Sequence, residues 1–141
     1  MARPEDLIGT WRMRAWTRES ASTGETSDCL GPDPIGYISY HADGRMMATV
    51  FRRDRPAPPA GRPRTEGEKA ELFDTMLAYV GAYSLSESEV THHVEAAWAP
   101  DWEIDLSRPF QLERHRLTIE APGDDPITGE SIVQRMVFEK V

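Results

Sequence analysis

The chain of 141 residues carries 16 basic against 24 acidic side chains, a formal charge of −8 at pH 7; that length fits one domain with a usable core, and no break in composition divides it. The negative balance argues against broad electrostatic attachment to nucleic acid or to an anionic membrane, and the lack of any run of about twenty apolar residues excludes a membrane-spanning helix. Cys29 stands alone, so no internal disulfide and no cysteine-cluster metal site can form.

The opening MARPEDLIGTW has no apolar stretch of the kind a secretory signal needs, so a cytoplasmic protein is expected. It leads into a strand on which Trp11, Met13 and Ala15 share one face and Arg12, Arg14 and Trp16 the other, with Trp11 placed inward. Residues 20–34 (SASTGETSDCLGPDP) are polar, rich in turn formers and aperiodic, which predicts a long loop over one end of the domain. Residues 35–40 form the next strand, with Tyr37 and Tyr40 on opposite faces, and Asp43-Gly44 supplies a hairpin turn. The returning strand, 45–51, alternates too weakly to mark its inner face. Residues 52–64 (RRDRPAPPAGRPR) hold four prolines and five arginines, a composition excluded from sheet and helix interiors. They read either as an anion-attracting flap at the mouth of a pocket or as a solvated connector.

Thr65-x-x-Glu68 is a capping box, and Ala70, Phe73, Met76, Leu77 and Val80 then recur at helical spacing, predicting a helix over about 66–79. One stripe of it should pack on the sheet or cover the opening. Residues 81–86 and 90–98 make a hairpin, 104–112 the next strand, 117–120 another, 122–129 (PGDDPITG) a turn-rich loop and 131–140 the last strand. About eight short strands with a single helix between the third and fourth close most economically into an antiparallel up-and-down barrel, whose interior is filled by side chains or holds one small ligand.

Two adjacent strands in 90–112 carry the most informative pattern. Val90, His92, Val94, Ala96 and Trp98 share one face of the first, with Thr91, His93, Glu95 and Ala97 opposite; on the second, Ile104, Leu106, Arg108, Phe110 and Leu112 form an apolar face that Arg108 interrupts. A short connection over 99–102 makes paired residue numbers sum to about 200, so that His92 faces Arg108. Two such groups on an apolar inner wall cost free energy unless something anionic or hydrogen-bonding meets them. That partner is either a buried carboxylate of the protein or a ligand.

The chain also resembles the small bacterial and fungal lipocalin-like domain family. The resemblance is carried by Leu7-Ile8-Gly9-Thr10-Trp11, with its Gly-x-Trp, by Gly31-Pro32-Asp33-Pro34-Ile35-Gly36-Tyr37 followed by Asp43-Gly44-Arg45-Met46, then by Thr91-His92-His93-Val94-Glu95 and Arg116-Leu117-Thr118. It implies an antiparallel barrel with a central cavity, in a family some of whose members accompany natural-product biosynthesis.

The expected function is binding of a mostly apolar, weakly acidic small molecule, with Arg108 as anion anchor and His92 as a neighbouring acid/base titrating near neutrality. Trp11, Trp98 and Phe110 would give flat apolar walls, and Tyr37 and Gln134 further hydrogen bonds. A catalytic version is a cofactor-free cyclisation or isomerisation of a natural-product intermediate; the alternative is a non-catalytic carrier or sequestering protein. His93 and Glu95 compete as a base with its orienting carboxylate, as two metal ligands needing His41 or His115 as a third, or as a solvated outer face. No metal, cofactor, nucleic acid or membrane partner is expected, and the sequence leaves a homodimer open. The absence of Gly-x-Ser-x-Gly, a phosphate loop, a dinucleotide fingerprint and a cysteine nucleophile argues against hydrolase, kinase and nicotinamide chemistry.

Overall fold

The computed structural model describes residues 3–124 and 128–141. Among these residues nine strands follow one another: β1 (Gly9–Ser20), β2 (Thr26–Asp28), β3 (Ile35–Tyr40), β4 (Arg45–Phe51), β5 (Met76–Leu85), β6 (Glu89–Ala97), β7 (Asp105–Glu113), β8 (Arg116–Asp124) and β9 (Ser131–Lys140), with one α-helix, α1 (Glu66–Asp74), between β4 and β5. Each barrel strand pairs antiparallel with its neighbour in sequence, and β1 pairs with both β3 and β9. The result is a closed eight-stranded up-and-down barrel, which leaves no open edge around the ring. The ninth strand, β2, is a short flap that pairs Thr26–Asp28 with residues 17–19 of β1. Residues 20–34 are therefore not one continuous loop: Ser20 ends β1, and the polar segment folds back on that strand before leaving it.

The β3–β4 hairpin forms as its Asp-Gly signal requires. Gly44 has φ of 86°, where a side chain would be strained, and the His41 N–H donates to the Arg45 carbonyl at 2.9 Å. This turn sets Tyr40 against Met46 and Ile38 against Ala48, so Met46, Ala48 and Val50 form the inner face of β4. The expected pleat breaks at two places. Arg14 is an extra residue in β1 between Met13 and Ala15, and Glu95 is an extra residue in β6 opposite the Val80/Gly81 step of β5. A bulge reverses the inward parity of the residues beyond it. Trp16 thereby turns into the barrel, and Ala97, not Ala96, packs toward the core.

The helix opens on its capping box: Thr65 Oγ1 accepts from the Glu68 N–H at 3.1 Å, and Glu68 Oε1 accepts from the Thr65 N–H at 2.8 Å. It ends at Asp74, five residues short of the span the spacing predicts. Thr75 donates its hydroxyl back to the Glu71 carbonyl at 2.7 Å and receives Arg55 Nε at 3.1 Å, while its own carbonyl accepts the Arg52 N–H at 2.9 Å. Met76, Leu77 and Val80 therefore belong to β5, with Leu77 and Tyr79 inward. No residue of α1 is buried, and Phe73 meets the barrel only at the rim, against Trp98. The 52–64 segment is a strap rather than a free cationic flap: Arg52 pairs with Glu71, Arg53 with Asp33 and Arg62 with Glu68, and Arg55 donates to the Leu72 carbonyl.

The segment 122–129 also divides. Residues 122–124 finish β8, Pro122 standing opposite Val133, and 125–127 lie outside the described residues. Proline is tolerated there because the β7–β8 ladder stops at Ile119, leaving no partner on the side that needs its missing N–H. One end of the barrel is sealed by Leu7 and Trp11, both essentially fully buried, with Trp11 Nε1 donating to the Leu7 carbonyl at 2.8 Å. The β4–β5 crossover with α1, and β2, lie at the other end.

Candidate functional site

The barrel interior opens toward this second end as a narrow funnel. Its apolar wall comes from inward positions of most strands, among them Met13, Val50, Leu77, Leu106, Ile119 and Phe138, and its polar groups are Tyr79, His92, Arg108 and Gln134. The volume open to the centre of a water molecule is about 40 Å³, whereas all space free of protein atoms, counted out through the mouth, is about 550 Å³. The first figure measures the enclosed room: it holds a water or two, well short of an ordinary ligand site, so a larger guest enters only as lining side chains such as Met13 and Met136 move aside.

His92 sits where its strand parity puts it, inward and only 2% exposed. Its register differs from the expectation. The β6–β7 connection is longer than residues 99–102, since it includes a 3-10 turn at Pro100–Trp102 and begins pairing only at Asp105. His92 is opposite Leu106, and Arg108 is opposite Val90. The slip is two residues, so both groups keep the same face and become diagonal neighbours.

Both ring nitrogens of His92 are occupied. The Tyr40 hydroxyl lies 2.6 Å from Nε2 and the Tyr79 hydroxyl 2.7 Å from Nδ1. Burial lowers the His92 pKa to about 3, with smaller contributions in the same direction from Arg108 and His93. The imidazole is neutral at physiological pH and does not titrate near neutrality, contrary to the sequence reading. Burial likewise raises the phenol pKa values of Tyr40 and Tyr79, Arg108 acting the other way on Tyr79.

Arg108 is half-buried on the cavity wall. Its hydrogen bond is a long one, Nη1 to the Ser107 carbonyl at 3.5 Å, and among the described residues no carboxylate pairs with it. Burial lowers its pKa, partly offset by Tyr79, yet a guanidinium keeps its charge at any physiological pH. Gln134 also borders the cavity, its Oε1 accepting from Trp16 Nε1 at 3.0 Å.

The other expected wall residues are elsewhere. Trp11 is part of the sealed end, with Lys140 over its ring at 4.8 Å, and does not border the cavity. Trp98 lies at the rim, donating from Nε1 to the Phe73 carbonyl at 3.1 Å, and Phe110 is half-buried against the core. Neither lines the cavity. Tyr37 borders it but its side chain is 42% exposed, under the Arg12 guanidinium on the outside of β3. The aromatic walls are instead Trp16, turned in by the Arg14 bulge, and Trp102, which stacks on Tyr79 at 6.1 Å between centroids and adjoins Trp98 at 5.3 Å.

His93 and Glu95 lie on the outside and are separately engaged. His93 bridges Asp105 at 3.0 Å and Ser84 at 2.9 Å, and Glu95 accepts a forked pair of hydrogen bonds from Arg45. His41 is exposed beside Ser39, and His115 lies in the β7–β8 turn. Among the described residues no three His, Cys, Asp or Glu side chains are grouped to hold a metal ion, and no helix is long and apolar enough to cross a membrane.

A family model described as a lipocalin-like domain matches residues 8–140. No curated protein matches the chain.

Proposed function

The chain belongs to the lipocalin-like domain family, and from that premise we propose that its barrel binds one mostly apolar small molecule bearing a weakly acidic oxygen group, with Arg108 as the anion anchor. The observation that carries this reading is the charge balance of the wall. A half-buried guanidinium borders an apolar cavity with no carboxylate to meet it among the described residues, and such a charge is stabilised when an anion occupies the space beside it. The ligand's apolar body would lie between Trp16 and Trp102 and displace water from the funnel.

The same residues support a limited range of chemistry. The cavity-lining set contains no carboxylate, and the His92 nitrogens are already engaged by two phenols, so a free general base is lacking among the described lining residues. Cofactor-free cyclisation or isomerisation is supported only where negative charge builds on an oxygen that Tyr79 and Arg108 stabilise. A carrier or sequestering protein needs the binding alone. Native mass spectrometry of freshly purified protein, followed by release of the bound material, separates these two readings: an unchanged ligand favours the carrier, and a rearranged one favours the enzyme.

The binding claim is tested by titrating the anionic dye anilinonaphthalene sulfonate and the neutral N-phenylnaphthylamine into the wild type and Arg108→Met. The variant should lose about 10- to 100-fold in affinity for the anionic dye, the worth of one charged hydrogen-bonded contact, and keep its affinity for the neutral one. Equal affinity of a folded Arg108→Met variant for the anionic dye would remove the anchor from the site.

A further inference from the structure

The hydrogen-bond partners in the barrel determine where each proton lies, and that decides which ligands the cavity accepts. A neutral imidazole has one N–H and one bare nitrogen. Since each His92 nitrogen meets a tyrosine hydroxyl, one tyrosine must donate to the ring and the other must accept from it. The accepting tyrosine keeps its own O–H hydrogen, which needs a further acceptor. Tyr40 is 1% exposed, does not border the cavity and has no other hydrogen-bond partner among the described residues. Were it the accepting residue, a buried O–H would be left unsatisfied, a state folded proteins avoid. Tyr79 borders the cavity beside Arg108 and has space into which its hydrogen can point.

Gln134 is oriented by the same logic. Trp16 Nε1 is a donor only, so the Gln134 atom it meets at 3.0 Å is the oxygen, and the amide NH2 is directed elsewhere.

We infer that His92 is held as the Nδ1–H tautomer by Tyr40, that Tyr79 is thereby left with its O–H free to donate into the cavity, and that Tyr79, Arg108 and the Gln134 amide form a donor-only cluster selecting ligands with an acceptor oxygen, a carboxylate, enolate, phenolate or ketone. This inference deepens the binding reading above and rests on it for the identity of the site, but not for the tautomer. Tyr40 is a positioning residue: it touches no ligand and acts by occupying Nε2. Tyr79 touches the ligand's oxygen. An amine of the same size finds donors facing donors and is rejected.

Two measurements test it. Nitrogen-15 NMR of the ligand-free protein, with labelled histidine, should show the His92 proton on Nδ1 and a bare, hydrogen-bonded Nε2 in the wild type, and loss of that pattern in Tyr40→Phe. A proton on Nε2 in the wild type would overturn the assignment whatever the protein binds. In the second arm naphthoate, methyl naphthyl ketone and naphthylamine are titrated into the wild type, Tyr79→Phe and Arg108→Met. Tyr79→Phe should weaken both naphthoate and the ketone about tenfold, as expected for one lost hydrogen bond, and Arg108→Met naphthoate far more than the ketone. Tyr40→Phe should weaken the ketone although it is out of reach. The NMR spectrum of each variant verifies that it is folded. Unchanged ketone binding in a folded Tyr79→Phe variant, or wild-type preference for the amine, would refute the donor-only cluster. Failure of the wild type to bind any of the three would overturn the ligand class and leave the tautomer standing.

Discussion

Lowering the pH from 7 to 5 isolates the cost of keeping an imidazole buried between two phenols. The His92 pKa is about 3 in the folded chain, chiefly through burial, against an ordinary value of about 6.5 in the unfolded one. Between these values the unfolded chain takes up a proton that the folded chain refuses. Stability contributed by the neutral ring is therefore fully present above the unfolded value and is lost progressively as the pH falls toward the folded one. Linkage through these two values gives a loss of about 2 kcal/mol at pH 5 and about 3 kcal/mol at pH 4 from this one group. Urea unfolding at pH 7, 5 and 4 measures it, with His92→Gln as reference because a glutamine amide offers Tyr40 and Tyr79 a donor and an acceptor without titrating. Carboxylates titrate in both proteins and cancel in the difference. The wild type should lose about 2 kcal/mol more than His92→Gln between pH 7 and 5. Parallel curves would mean that His92 takes up its proton in the folded state, and the neutral relay would be wrong.

Two further predictions concern other places in the chain. A Cβ at Gly81 would collide with the His93 carbonyl oxygen, so Gly81→Ala should cost about 3 kcal/mol by overpacking, while Gly123→Ala, with open space around it, should stay within about 0.5 kcal/mol of the wild type; equal melting temperatures for the two would remove the close strand crossing at the Glu95 bulge. Burial, opposed by Arg18 and reinforced by Asp28, pushes the Cys29 thiol up to about 11. Iodoacetamide at pH 8 should then alkylate it about a hundredfold more slowly than in urea-unfolded protein, and an equal rate, read by intact mass, would show the thiol to be unperturbed.

The parts of the barrel that obey a single period were legible in the sequence alone. Alternation in β6 and β7 places His92, Leu106 and Arg108 inward, the Asp43-Gly44 turn predicts the β3–β4 hairpin, and Thr65 with Glu68 marks where α1 starts. Where α1 stops was not, because Met76, Leu77 and Val80 satisfy a helical spacing as well as they satisfy a strand. The physical arbiter is non-local: Arg52 and Arg55, some twenty residues earlier, take up the bonds of Thr75 and Leu72. That misreading hid Tyr79 inside a supposed helix. Trp16 was hidden differently, by one extra residue at Arg14 that inverts the faces beyond it, and an alternation pattern carries no mark of a bulge. The Gly81 position offered a hint, since an isolated glycine within a strand often signals one. Tyr40 could have been found by asking what a buried His92 bonds to, whereas Arg108 showed itself by interrupting an apolar face.

The seam between β1 and β9 joins positions more than a hundred residues apart along the chain, Trp11 with Lys140 at one end of the zipper and Ser20 with Ile132 at the other. Met13 and Trp16 stand on one side of that seam, and Gln134, Met136 and Phe138 on the other. The pocket is thus a property of ring closure rather than of any local hairpin, and it comes into being only when the most distant pairing in the molecule has been made. A guest lodged across the join would act as a latch, adding to stability in proportion to the logarithm of its concentration over its dissociation constant.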